Sequence, residues 1–147
     1  MLIYLDSSVL ARAYLADEAG HEEAAALLAE PEHLLVTSSW TVVETISALT
    51  RACRSSCFAD LHRLLAVLSA DVGDDGPVTL LRAKTAHVEL RVTEIVREHA
   101  LHSLNALHVA VADIAARPLV EPDEPLGFAS RDKDQRAAAA ALGFVGI

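Results

Sequence analysis

Asp6, Glu44 and Asp132 are carboxylates far apart in the chain, each placed shortly after an apolar run. Asp6 follows LIYL directly, Glu44 comes about one helical turn after LLVTSS, and Asp132 comes just after LGFAS. Asn105 opens the apolar segment NALHVAVADIA, with Ser103 as its candidate cap. Two carboxylates about 4 Å apart repel by roughly 4 kcal/mol at an effective dielectric near 20. Acids gathered in one place must therefore be protonated, spread apart or share a cation. Oxygen ligands with open positions suit Mg²⁺ or Mn²⁺, which take one or two carboxylates and keep waters that a phosphate can displace. Each residue also has a plainer role. Asp6 and Asp132 are good helix caps, Glu44 favours the positive end of a helix, and Asn105 suits a helix start.

The elements that must position these side chains alternate. Apolar runs at 2–5, 34–39, 78–81 and 126–130 read as strands, with a closing strand at FVGI. Helical spacing appears over 9–15, 21–29, 42–53, 58–69, 85–98, 105–116 and 133–142, and Pro118 ends the sixth of these. Strands alternating with helices predict an α/β domain whose mostly parallel sheet is covered on both faces. Sites in such sheets form at the carboxyl ends of the strands, where all four residues are expected.

Composition bounds the answer. A chain of 147 residues, 52% hydrophobic and 22% charged, is read as one globular domain over 1–147. The apolar runs are too short to cross a bilayer, and Asp6 interrupts the first, so a cytoplasmic protein without a signal peptide is expected. Cys53 and Cys57 share a helix face, poor geometry for a disulfide and too few ligands for zinc, and are read as reduced thiols. The net charge of −9 is unusual for a nucleic-acid partner, unless some of it is local and offset by a divalent cation.

Four segments together carry a family resemblance that covers nearly the whole chain. LIYLDSSVLARAYLADE, SSWTVVETISAL, LHSLNALHVAVA and LGFASRDKDQRAAAAALGF resemble, in order, the motifs of PIN-domain ribonucleases, most closely the VapC-type toxins of toxin–antitoxin pairs. The resemblance implies a three-layer α/β/α fold with a central, mostly parallel sheet. It implies that Asp6, Glu44, Asn105 and Asp132 form the catalytic site, with Asp6, Glu44 and Asp132 binding Mg²⁺. It also implies RNA cleavage, a homodimer and a cognate antitoxin. Ser7 and Ser8 could orient Asp6 or a water on the metal, or simply cap a helix. Arg12, Arg131 and Lys133 are the candidate phosphate contacts, with Arg51 and Arg54 further along the rim.

The chain departs from the family pattern at Asn105, where aspartate is usual. The amide keeps the shape and loses a full negative charge, which predicts weaker metal binding. Asp134 is the candidate replacement charge, although RDKDQR also reads as a solvated helix start. His108, one turn after Asn105, reads as a packed, hydrogen-bonded histidine. Asp113 lies too far along its helix to join the site. The alternative is a PIN-like module weakened in catalysis that binds RNA or an antitoxin. A phosphoacceptor receiver domain is disfavoured because no adjacent acids follow the first strand. A DxD phosphohydrolase is disfavoured because Ser8 stands two residues after Asp6, and no glycine-rich phosphate loop is present.

Overall fold

The computed structural model describes residues 1–55 and 60–147. Five parallel strands form one sheet in the order β3-β2-β1-β4-β5: β1 Leu2–Leu5, β2 Leu34–Ser38, β3 Val78–Leu81, β4 Leu126–Ala129 and β5 Val145–Gly146. Every residue of β1 and β4 is buried, as expected of parallel strands covered on both sides. Their side chains alternate between two cores. Leu2, Tyr4, Leu126 and Phe128 pack on one face, and Ile3, Leu5 and Ala129 on the other.

The first face is covered by α5 (Thr85–His99), α6 (Ser103–Val111) and α7 (Lys133–Ala141). The second is covered by α1 (Ser7–Leu10), α2 (His21–Ala29), α3 (Ser39–Ser55) and α4 (Leu61–Asp71). The result is the three-layer α/β/α architecture that the alternation of elements predicts. From β1, the chain extends the sheet through β2 and β3 on one side, then returns to add β4 and β5 on the other. That reversal opens a crevice at the carboxyl ends of β1 and β4, the usual place for a ligand in such a sheet.

Three helices differ from their sequence patterns. The stretch 9–15 does not form one helix: α1 ends at Leu10 and Arg12–Tyr14 tightens into a 3₁₀ turn. Side chains take the carbonyls that a continuing helix would use. Arg12 Nη1 donates to Ser8 O at 2.6 Å, and His21 Nδ1 lies 2.8 Å from Arg12 O. The helix expected from 105 starts earlier, with His102 rather than Ser103 in the capping position, and widens into a π turn at Ala112–Ala116. Proline clashes with the carbonyl four residues back, and the wider turn accommodates Pro118. α3 also begins earlier than its spacing suggests, directly after β2. Cys53 is a free thiol on α3, whereas Cys57 and the expected helix start at Phe58 lie outside the described residues.

Candidate active site

Asp6 leaves β1 at the crevice and is 3% exposed. Its Oδ1 accepts from Ser8 Oγ at 2.7 Å and from Val9 N at 3.0 Å, which makes Asp6 the cap of α1. Ser8 Oγ in turn accepts from Arg131 N at 2.9 Å, so one hydroxyl ties the segment after β1 to the segment after β4. Burial pushes the Asp6 carboxyl up, opposed by the Ser130 and Ser8 hydroxyls, by His108 and by the Val9 N–H. A carboxylate in this setting gains from a nearby positive charge.

Asp132 caps α7 through Oδ1, which accepts from Gln135 N at 2.8 Å, while its Oδ2 accepts from Asn105 Nδ2 at 3.0 Å. Gln135 is 1% exposed and was not legible as a site residue inside RDKDQR. Its Oε1 accepts from Ser130 Oγ at 2.6 Å, Ser130 Oγ accepts from Asp132 N at 3.1 Å, and its Nε2 donates to Asn105 O at 3.0 Å. The signal that could have found it is a glutamine three residues after an N-cap acid, the pattern of a capping box. Here the box closes through Ser130.

Glu44 projects from α3 and meets His108 of α6, Oε2 against Nε2. The hydrogen bond from His108 holds its carboxyl below the usual range despite partial burial, with smaller help from Ser7 and Arg51. Behind His108 lie Tyr4, Ser38 and Thr41, all buried polar side chains in segments that read as plain strand and helix.

The remaining candidates sit around this patch. Ser7, Ser8, Arg12, Glu44 and Arg51 line one groove of about 880 Å³, flanked by exposed Trp40 and Val43. Arg131 is exposed and lays its guanidinium over Gly20, whose φ of 87° and missing Cβ both permit the approach. Lys133 is exposed on the first turn of α7. Asp134 is exposed and lines a different hollow with His99 and Ala100, at the end of α5. Asp113 is bonded to Arg91 Nε at 2.8 Å and Arg117 Nε at 2.6 Å, a structural acid between two arginines.

The PIN-domain family model matches residues 3–141. The chain belongs to the PIN-domain family. Among solved structures, this PIN domain is similar to VapC20 of Mycobacterium tuberculosis, described as a sarcin-ricin loop cleaving toxin. The TM-score is 0.67 at 24% identity, over 97% of this chain and 96% of that one. PAE2754 of Pyrobaculum aerophilum matches with a TM-score of 0.62 at 15% identity, over 99% and 89% of the two chains. VapBC-1 of nontypeable Haemophilus influenzae matches with 0.57 at 9% identity, over 100% and 97%. At these identities the likeness is one of fold. No curated protein matches by sequence.

The donor chemistry of the patch fits a hard divalent cation: acids, hydroxyls and the Asn105 amide oxygen, which the bond from Nδ2 leaves available. Among the described residues, however, no three His, Cys, Asp or Glu side chains are grouped as a ready-made metal cage. Each acid already has protein partners. Glu44 is drawn to His108, and Asp132 is held by Gln135 and Asn105. The arrangement fits an ion held by one or two carboxylates and completed by water, as Mg²⁺ commonly is.

Proposed function

We propose that this PIN domain is a Mg²⁺-dependent endoribonuclease, with Mn²⁺ as a substitute, acting as the toxin of a toxin–antitoxin pair. It works in the cytoplasm, as one domain over residues 1–147 and as a homodimer. The observation that carries this reading is Asp6, a buried carboxylate at the crevice of a parallel sheet. Asp132 is tied to the same crevice through Ser130, whose Oγ accepts from Asp132 N at 3.1 Å. The likeness to VapC20, itself described as a sarcin-ricin loop cleaving toxin, supports the choice of substrate and role.

Asp6, Asp132 and Glu44 are the candidate ligands, of which one or two would hold the ion and water would complete it, with Asn105 as a neutral ligand or water holder. The bound cation supplies Lewis-acid polarisation of a phosphoryl oxygen and a more acidic water. The chain's own part is to fix the acids and bind the backbone of the RNA. Ser8 keeps Asp6 in place and Gln135 keeps Asp132 in place. Arg12 and Arg131 form no ion pair among the described residues, which leaves their charge for phosphates, with Lys133 beside them. Exposed Trp40 and Val43 along the groove offer an apolar surface to an antitoxin.

One observation favours a second reading, a binding module with weakened catalysis. The Asn105 amide already occupies a lone pair of Asp132 and brings no charge of its own. A Mg²⁺-dependence assay on mixed RNAs, with Asp6→Ala as control, decides between them. Cleavage that needs Mg²⁺ and disappears in Asp6→Ala is expected. Cleavage that survives Asp6→Ala places the activity elsewhere, and RNA or antitoxin binding without cleavage favours the second reading.

A further inference from the structure

The side chain that meets Glu44 is His108, and its ring is held from behind by a run of hydroxyls. His108 is 2% exposed, and its Nε2 faces Glu44 Oε2. A carboxylate oxygen only accepts, so Nε2 must carry a hydrogen. The other ring nitrogen, Nδ1, lies 3.2 Å from Thr41 Oγ1 and 3.3 Å from the Tyr4 hydroxyl. A hydroxyl has one proton to give and two lone pairs, and for a neutral imidazole whose Nδ1 must find a donor, counting them gives one consistent set of directions. The Tyr4 hydroxyl donates to Ser38 Oγ at 3.1 Å, and Thr41 N donates to the same oxygen at 3.2 Å. Both Ser38 lone pairs are then filled, and its proton goes to Thr41 Oγ1 at 3.0 Å. The Thr41 proton can then reach His108 Nδ1 at 3.2 Å or the Tyr4 hydroxyl at 3.2 Å, and only the first gives Nδ1 a donor, since the Tyr4 proton is already on Ser38. The bonds run one way, from Tyr4 through Ser38, Thr41 and His108 to Glu44.

The chain is sealed from water: Tyr4 and Thr41 are 0% exposed and Ser38 2%. Water cannot replace a lost member, so a buried network of this kind is either complete or costly. Its terminus is different. The Glu44 side chain is 31% exposed and borders the groove beside Ser7 and Arg51, where without a partner it would sample several rotamers.

We propose that His108 is a positioning residue for Glu44, held in its Nε2-protonated tautomer by the hydroxyl chain Tyr4–Ser38–Thr41. His108 pins Glu44 Oε2 and leaves Oε1 to a ligand in the groove. Partners that fix metal-binding carboxylates typically cost 10–100-fold in metal affinity or activity when removed. The proposal rests on reading the acid patch as a Mg²⁺ site. His108 touches neither substrate nor ion and acts only through Glu44.

The test has two parts, both on the full chain. In the metal-free protein, a long-range proton–nitrogen NMR spectrum of the imidazoles should show His108 protonated at Nε2 with Nδ1 as acceptor; the opposite tautomer overturns the proposal. Calorimetric Mg²⁺ titration then compares His108→Phe, which fills the space without a donor, with His108→Gln, whose amide nitrogen can reach the Nε2 position. His108→Phe should bind Mg²⁺ about 10-fold more weakly and His108→Gln within about 3-fold of the parent. Unchanged affinity in His108→Phe, or an equal loss in both variants, overturns the positioning role. Should His108→Phe fail to fold, Thr41→Val removes the last donor at constant shape and should both disturb the tautomer and weaken Mg²⁺ binding. A parent protein that binds Mg²⁺ and cleaves RNA alongside an unaffected His108→Phe sinks the positioning role alone. A parent that does neither sinks the nuclease reading and this proposal with it.

Discussion

At position 105 one atom decides the electrostatics. Asn105 Nδ2 donates to Asp132 Oδ2 at 3.0 Å, so the amide neutralises by hydrogen bonding what an aspartate would oppose by charge. Asn105→Asp replaces that donor with a second carboxylate, and the two oxygens would face each other with no proton between them. In EDTA the variant should lose about 2 kcal/mol of stability, the usual scale for a broken bond to a charged group. Adding Mg²⁺ should restore more stability than it gives the parent, and cleavage should rise with it. Thermal melts with EDTA and with Mg²⁺ check this directly. A variant as stable as the parent in EDTA, with the same Mg²⁺ shift, would show that the electrostatic account is wrong.

At the scale of elements, the caps and the candidate site are the same residues. Asp6 and Asp132 are helix caps of α1 and α7, the plain role, and each also presents its carboxylate at the crevice. A sequence can place such acids because continuous apolar runs mark the strands that end at them. It cannot show the bonds between segments, and Ser8 illustrates the difference. Its place beside Asp6 was legible, but its bond to Arg131 N joins residues 123 apart. Ser8→Ala removes a bond to a buried carboxylate and hands the exposed Arg131 N–H to water, so the lost bond to Asp6 should account for most of a cost of about 1–3 kcal/mol. Urea denaturation measures the loss. The Tyr4–Ser38–Thr41–His108 chain was equally hidden, since its hydroxyls lie within segments whose pattern is satisfied by burial alone. Ala100, which ends α5 with φ of 53°, is a purely local case. Glycine adopts that conformation without penalty, so Ala100→Gly should stabilise the fold by about 1 kcal/mol and leave RNA cleavage unchanged. A lower melting temperature would contradict it.

At the scale of the whole molecule, a net charge of −9 must be reconciled with the polyanionic substrate we propose. Long-range attraction is weak or adverse for such a chain, so the proposed RNA binding would have to come from a few well-placed cations and from an ion at the acids. Arg131 is the clearest of these cations. It follows β4 directly before Asp132, its backbone is fixed by Ser8, and its guanidinium lies on Gly20 without an acidic partner among the described residues. A phosphate contact of this kind is independent of sequence and releases a counterion on binding. Arg131→Ala should therefore weaken binding of all RNAs by a similar factor and make the salt slope of the logarithm of affinity shallower by about 1. Measuring affinity in Ca²⁺ over a range of KCl concentrations separates this from any effect on cleavage. An unchanged salt slope would mean that Arg131 does not meet the backbone of the RNA. A loss confined to certain sequences would instead make it a reader of bases, a role for which a planar guanidinium is equally well equipped.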